Sequence, residues 1–285
     1  MPNLKLLRQR IASVGSTLKI TSAMKMVAAS KLKRLQQGQV FFAPFEHAFK
    51  QMISHAKSQL DPLEGDLKWF STRETGKIAL IVVSSSRGLC GSFNNMIIKE
   101  TKSFLKKMTK SGQDVEIFFV GRKAKDSLTQ FMNNKYAYQL IQGTTNPEIT
   151  GNLSKKLLEK FFQGEYKSAH VIFNDYKSTL VQTPTLVDLL PLSVEEASFQ
   201  GFCEIEPDVS SFLESACPKY LEILILKSLI MSHVGEQAAR MIAMDSATRA
   251  AKDMVHSLKL QFNRTRQNLI TKELIEVISG AEGSL

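Results

Sequence analysis

Cysteine and histidine are sparse in this chain of 285 residues. The three cysteines, Cys90, Cys203 and Cys217, are widely separated and form no Cys-x-x-Cys pair. An odd number of scattered cysteines is typical of free thiols in a reducing compartment. The five histidines show neither His-Glu-x-x-His nor any other zinc-ligand spacing. The sequence therefore predicts no disulfide framework and no metal site.

The motifs of nucleotide-binding and hydrolytic enzymes are also missing. The stretch SSSRGLCGSFNN at 84–95 lies between an apolar run and a helical pattern, which is the setting of many phosphate-binding turns. It matches neither GxxxxGK[ST] nor GxGxxG, and no lysine follows its glycines. Gly-x-Ser-x-Gly is absent as well. Cys90 is most simply a small residue in a tight turn, and a thiol activated by Arg87 is the alternative. The residues argue against an enzyme and against a bound cofactor.

Long apolar runs are missing too. The most apolar helical stretch, Tyr220 to Val234, contains Glu222 and Lys227 and is too short to span a bilayer. The first residues lack the apolar core and cleavage site of a signal peptide. We expect a soluble protein that does not insert into a membrane but can sit at its surface through a membrane partner.

Proline is nearly absent from the two ends of the chain, where apolar and small residues recur at alternating steps of three and four. No proline occurs between Pro2 and Pro44 or after Pro218. The first seam is Leu4, Leu7, Ile11, Val14, Leu18, Thr21, Ala28, Leu32 and Leu35, with Lys25 out of character. The second seam is Met241, Met244, Thr248, Ala251, Val255, Leu258, Phe262, Thr265 and Leu269.

These heptad seams predict two long helices. The first runs from about residue 3 to about residue 58, roughly 80 Å, with Pro44 as a candidate kink or break. The second has about 60 residues and a length of roughly 90 Å. A narrow apolar stripe needs a helical partner. The simplest arrangement pairs the two ends as an antiparallel coiled coil, although each seam could equally meet another protein.

The middle of the chain alternates strands and helices. Apolar runs at 78–83, 115–120, 169–174 and 179–192 predict strands, and helical patterns fall at 95–108, 122–131 and 152–162. This order is typical of a three-layer α/β, Rossmann-like domain. We predict an N-terminal helix within 1–60, an α/β domain at 75–195, and a C-terminal helix within 210–285 that pairs with the first.

Positive charge is concentrated at the N-terminus. The net charge is +10, and residues 1–60 contain ten lysines and arginines but only one acidic residue, Glu46. An acidic partner is therefore expected. One interpretation is a basic helix that binds nucleic acid, but the interleaved aromatics and arginine bias of such proteins are missing. The other is a helical rod that works against acidic proteins.

Three motifs resemble one family. RIASVGSTLKITSAMKMVAASKLKRLQ at 10–36, SRGLCGSFN at 86–94, and the segments GEQAARMIAMDSATRAAKDM and LQFNRTRQNLITKELIEVISGA within 235–281 are similar to the gamma subunit of F-type ATP synthase. The resemblance covers almost the whole chain in the family's order. It implies a non-catalytic rotor shaft, present once per complex, that couples proton flow through the c-ring to ATP synthesis and hydrolysis at the beta subunits.

The resemblance also implies partners and a location. The partners are the alpha–beta hexamer, the epsilon subunit and the c-ring, with no nucleic acid. The location is the cytoplasmic face of a bacterial inner membrane, as a peripheral protein. The beta-contact positions that it implies are Met24, Lys31, Lys33, Arg34, Arg87, Arg240, Arg266 and Gln267. The positions that meet the c-ring and epsilon are Cys203, Ile205 and Glu206.

Several positions depart from the family pattern. Ser22, Ser86, Gly235, Ala250 and Phe262 replace the more common Lys, Asp, Ser, Asn and Tyr, and the tail ends in GAEGSL. The regulatory cysteine insertion of the chloroplast type is not seen, so we do not expect a thiol switch.

Overall fold

The structure, a computed structural model, describes residues 4–60, 67–132, 135–141, 147–194 and 204–282. Its elements in chain order are α1 (Leu4–Ser58), a 3-10 turn (Leu67–Trp69), β1 (Lys77–Val83), α2 (Phe93–Lys110), β2 (Val115–Val120), α3 (Arg122–Met132), β3 (Ala137–Ile141), α4 (Pro147–Phe162), β4 (Tyr166–Tyr176), β5 (Gln182–Leu190) and α5 (Val209–Glu282).

Both terminal helices run through a proline, and the second is longer than predicted. α1 has 55 residues, close to the predicted span from about residue 3 to about residue 58, and it continues through Pro44 without the break that was one alternative there. α5 has 74 residues and includes Pro218, which the predicted helix of about 60 residues left out. A proline inside a helix costs about 3 kcal/mol. Around Pro218 the helix buries Leu213, Cys217 and Leu221 in the core, which offsets that cost.

A mixed five-stranded sheet forms the middle layer, in the order β3-β2-β1-β4-β5. β1 pairs in parallel with β2 and β4, and β2 pairs in parallel with β3. β5 is antiparallel to β4 and begins at Gln182, after a turn in which Lys177 and Ser178 bond to Val181. β3 was not predicted, because AYQLI is a short edge strand whose first three residues are exposed.

Alternate residues of the central strands face two apolar layers. Ile78, Leu80 and Val82 pack with α2 and α3, whereas Ala79 and Ile81 face the opposite side. That second side is covered by α4, by the end of α1 and by the first half of α5. A strand buried on both faces reads as a continuous apolar run, which is why IALIVV shows no polar alternation. The predicted three-layer α/β arrangement is confirmed.

The chain divides into two compact units. One unit contains Met1–Ala29 and Arg240–Leu285, and the other contains Ser30–Ala239. The first unit is built from the two helical ends, and the second contains the sheet with its covering helices. Within the described residues, no helix combines the length and apolar character that crossing a membrane requires.

Candidate functional site

The two predicted seams meet in the helical unit. Leu7, Thr21 and Ala28 are buried on α1, and Met244, Ala251 and Leu258 are buried on α5. Three side-chain contacts show how the two helices run relative to each other. They join Lys25 with Asp245, Thr21 with Thr248, and Arg8 with the ring of Phe262. Residue numbers fall along α1 as they rise along α5, so the helices are antiparallel. The two ends of the chain pair with each other here, as the seams predicted.

The charged residue in the first seam has a partner that the sequence did not reveal. Lys25 Nζ lies 2.6 Å from Asp245 Oδ1, and Arg249 Nη2 lies 2.7 Å from the other carboxylate oxygen. The hydrogen bond from Lys25, reinforced by the charge of Arg249, lowers the pKa of Asp245. One turn away, Thr248 Oγ1 bonds to Thr21 Oγ1 at 3.0 Å. These polar contacts specify the register of the two helices at that level, because apolar contacts alone tolerate slippage.

The proposed contact residues of this unit lie at separate levels of the paired helices. Met24 is half-buried next to Lys25, and Arg240 is half-buried at the start of the α5 portion. Arg266 and Gln267 are exposed, between the half-buried seam residues Thr265 and Leu269. From Asp245 to Arg266 the distance along α5 is roughly 30 Å. The structure therefore does not gather these four residues into one cluster.

The remaining basic positions belong to the α/β unit. Lys31, Lys33 and Arg34 are exposed on α1, whereas Leu32 is buried between them. Arg87 is exposed in the loop that follows β1. Exposed ammonium and guanidinium groups of this kind can meet carboxylates of a partner with little desolvation, and each such pair is worth about 1 kcal/mol or less.

The loop after β1 uses its own polar groups internally. Ser84 Oγ accepts a hydrogen bond from the backbone N–H of Ala124 at 3.1 Å and so caps the first turn of α3. Asn94 Oδ1 accepts from the N–H of Ser85 at 3.1 Å, and Asn94 Nδ2 donates to Ser85 Oγ at 2.8 Å. In a phosphate-binding turn these donors would face the ligand. Here they hold the loop closed.

The same network fixes the position of Cys90. Its thiol is 2% exposed and accepts a hydrogen bond from Asn94 Nδ2 at 3.2 Å. The preceding residue, Leu89, has φ 65° and an exposed side chain. Cys217, in the core, has a pKa raised to about 12 by burial. Cys90 and Cys217 are free thiols, and Cys203 lies outside the described residues.

Gly235 explains one departure from the family pattern. A Cβ at this position of α5 would lie 3.3 Å from Phe93 Cε2 and 3.3 Å from Gln182 Cγ. The backbone of α5 therefore approaches the start of α2 and of β5 more closely than a larger residue allows. The missing side chain costs about 1 kcal/mol of helix propensity, which this close packing offsets.

The foot segment is only partly described. Ile205 is half-buried and packs against the core of the α/β unit, and Glu206 is exposed. Nearby Asp208 accepts hydrogen bonds from the N–H of Ser211 at 2.7 Å and from its hydroxyl at 2.8 Å, which lowers the pKa of the Asp208 carboxyl. Asp208 thus caps α5, a role that the sequence pattern did not indicate. Cys203 lies in the undescribed segment.

One cluster reproduces the hydrogen-bond order of a catalytic triad. Ser168 Oγ lies 2.9 Å from His170 Nε2, and His170 Nδ1 lies 2.7 Å from Asp188 Oδ1. Ser168 and His170 are two residues apart on β4, and Asp188 is the cross-strand partner on β5. Ser168 is inside a paired strand, whereas a hydrolase displays its nucleophile on a sharp turn beside free backbone donors. The cluster ties the edge strand to the sheet.

Solved structures that share this fold come from ATP synthases. The structure of the Euglena gracilis mitochondrial ATP synthase containing OSCP, F1 and the c-ring superposes with a TM-score of 0.63 at 15% identity, over 98% of this chain and 94% of that chain. The central stalk and c-ring structure from Tetrahymena thermophila gives a TM-score of 0.57 at 25% identity, over 80% and 99%. The fold is therefore that of an ATP synthase central-stalk protein.

The sequence comparisons narrow this class. The family model described as ATP synthase matches residues 3–283. The ATP synthase gamma chain of Pelagibacter ubique is 37% identical, and that of Rhizobium rhizogenes is 36% identical, each over 99% of both chains. The chain belongs to the family of ATP synthase gamma chains. These relatives give no support to the nucleic-acid interpretation.

Proposed function

We propose that the chain is the central rotor shaft of an F-type ATP synthase. It is non-catalytic itself and couples proton flow through the c-ring to ATP synthesis and hydrolysis at the beta subunits. The observation that carries this function is the antiparallel pairing of the chain's own ends at the Lys25–Asp245 and Thr21–Thr248 contacts, in a chain that matches gamma chains over 99% of its length.

Transmitting torque requires a stiff element that does not bind too strongly at any one angle. Two paired helices resist bending and twisting more than one helix does, because the seams interlock. The outer surface supplies weak polar contacts, since exposed ion pairs are worth about 1 kcal/mol or less. The proposed beta contacts Arg266 and Gln267 are both exposed, which suits a contact that forms and breaks during each turn.

The other beta contacts are proposed at Met24 and Arg240 and at the exposed basic positions Lys31, Lys33, Arg34 and Arg87. The five lysine and arginine positions among these, with Arg266, carry cationic groups that can pair with acidic loops of the alpha–beta hexamer, and Met24 and Gln267 are proposed as uncharged contacts. The foot at Cys203, Ile205 and Glu206 is proposed to meet the c-ring and the epsilon subunit. Of these three, Glu206 is exposed and offers its carboxylate to a partner.

The proposal also states which segments form the shaft and where in the cell the protein is located. Residues 1–60 and 210–285 supply the shaft, and residues 75–195 supply the α/β domain. One copy serves each complex. The protein sits peripherally on the cytoplasmic face of a bacterial inner membrane, held there through the c-ring.

Reconstitution with alpha and beta subunits tests this role. We expect a complex with a single gamma chain whose ATPase activity depends on that chain, whereas the isolated chain neither hydrolyses ATP nor binds it at micromolar concentration. A second variant carries prolines at Ser13 and Ser257, two exposed positions next to the seams. It should keep the α/β unit folded but fail to assemble, because proline disrupts both paired helices. A chain that does not assemble with alpha and beta, yet is retained on DNA with steep salt dependence, would contradict the proposal.

A further inference from the structure

α2 divides its side chains between core and solvent. Its buried face consists of Phe93, Ile97, Thr101, Phe104 and Leu105. The outward stripe carries Lys99, Lys102, Lys106 and Lys110, at steps of three and four, so the ammonium groups lie along one side of the helix. From Lys99 to Lys110 the stripe measures roughly 17 Å.

The C-terminal half of this stripe borders a groove. Lys106, Thr109 and Lys110 of α2 form one wall, and Phe131 of α3 with Lys135 and Tyr136 forms the other, around a cavity of about 320 Å³. The hydroxyl of Tyr136 contacts Thr109 and donates to the carbonyl of Leu105 at 3.4 Å, so its ring is held in place. The groove therefore has a basic rim, formed by Lys106, Lys110 and Lys135, and an aromatic lining in which the ring of Tyr136 is fixed.

Within the part of the chain that the structure describes, the lysines of the α2 stripe and of the groove rim have no acidic partner. Among the described residues, Lys99, Lys106, Lys110 and Lys135 take part in no ion pair, and Lys102 has only the ring of Phe131, 5.2 Å from its Nζ. Lys160 on α4, by contrast, lies 3.3 Å from Glu116 and 3.2 Å from Glu165. Grouped like charges repel one another, so an uncompensated stripe beside a groove favours an anionic ligand.

We propose that this groove is a docking site for an acidic segment of a partner protein, in which carboxylates flank one apolar side chain. The carboxylates would pair with Lys106, Lys110 and Lys135, and the apolar side chain would enter between Phe131 and Tyr136. An extended segment rises about 3.3 Å per residue, so about five residues match the stripe.

The geometry favours a peptide over the other anionic surfaces. Phe131 and Tyr136 are half-buried between exposed lysines, so a flat bilayer would reach the ammonium groups but not the aromatic lining. A nucleic acid would need the ring faces for base stacking. Lys102 already occupies a face of Phe131.

The test is a binding titration of the full-length chain with a fluorescent Glu-Glu-Phe-Glu-Glu peptide. The groove variant is Lys106→Gln with Lys135→Gln. The matched control, Lys123→Gln with Lys155→Gln, neutralises two exposed lysines elsewhere in the same α/β unit. We expect the groove variant to bind about tenfold more weakly and the control to change by less than about twofold. Replacing the peptide's Phe by Ser should weaken binding to the parent.

Three results would overturn the docking site. The first is an equal loss in the groove and control variants, which would mean attraction to overall charge. The second is equal binding of the Phe and Ser peptides. The third is a groove-dependent binding of phosphatidylserine vesicles or single-stranded DNA that exceeds the binding of the peptide. None of these results bears on assembly with alpha and beta, so failure of the docking site and failure of the rotor function are distinguishable.

Discussion

The two units of the chain differ in how much of their apolar surface they bury. The α/β unit buries both faces of its central strands, with Ala79, Leu80 and Ile81 fully enclosed. The helical unit buries one narrow seam, in which Leu258 is still 8% exposed, and leaves Leu274, Val277 and Ile278 more than half exposed. Stability is thus concentrated in the unit with a layered core, and exposed contact surface in the unit with a seam.

A core truncation should show this difference most strongly. Leu80→Ala removes buried methyl groups from the middle strand and should lower the free energy of unfolding of the α/β unit by about 2–5 kcal/mol. The only tryptophan, Trp69, lies in that unit and is buried, so its fluorescence reports urea unfolding there alone.

Leu258→Ala is the matched truncation in the helical unit. It should lower helix content measured by circular dichroism while leaving the Trp69 midpoint unchanged. If both substitutions shifted the Trp69 midpoint equally, the two units would not differ in stability.

The close approach at Gly235 should produce the next largest effect. Gly235→Ser places a side chain 3.3 Å from Phe93 and should cost about 1–3 kcal/mol by overpacking, measured from the Trp69 transition. Gly15→Ser in α1 is the control, because nothing lies within 4 Å of a Cβ there. It should be neutral or slightly stabilising through helix propensity. Equal destabilisation by both would refute the packing explanation.

The buried carboxylate of Glu116 makes the stability of the α/β unit depend on pH in the acid range. Burial raises the pKa of Glu116, but hydrogen bonds from Tyr166 and Lys160 outweigh it and leave the pKa below the ordinary 4.5. A lowered pKa stabilises the fold above the unfolded value, and that stabilisation is lost as pH falls through the folded value. Parent stability should therefore drop below about pH 4.5, and Glu116→Gln should flatten that part of the Trp69 profile. If the variant lost stability in acid like the parent, other carboxyl groups would be responsible for that loss.

The smallest effect on stability is expected at the proposed beta contact. Arg266→Ala with Gln267→Ala removes two exposed side chains and should change stability by less than about 0.5 kcal/mol. In the reconstituted complex it should nevertheless lower assembly and ATP-driven turnover, and Arg266→Glu should be worse because it repels carboxylates. Lys252→Ala with Lys259→Ala, on the same helix, is the control. If the Arg266 and Gln267 double variant turned over ATP like the parent, coupling would rely on the other proposed contacts, around Met24, Arg240 and residues 31–34.

The sequence predicted the terminal helices and their pairing because a heptad seam is a local pattern with one periodicity. It predicted β1, β2 and β4 because each contains a run of β-branched, aromatic and other apolar residues. It did not predict β3, whose exposed edge residues carry no such run. The partner of Lys25 and the capping role of Ser84 depend on residues distant in sequence, at Asp245 and Ala124, so local pattern could not reveal them.

The most direct test of the shaft is single-molecule rotation. The alpha–beta–gamma complex is fixed to a surface through the beta subunits, and a bead is attached to the α/β unit through a cysteine introduced at the exposed residue Ser103. Cys90 and Cys217 are buried, and Cys203 is replaced by Ser, so labelling is directed to that site. On addition of ATP the bead should turn in one direction. A complex that hydrolyses ATP at the full rate while the bead stays still would contradict the account.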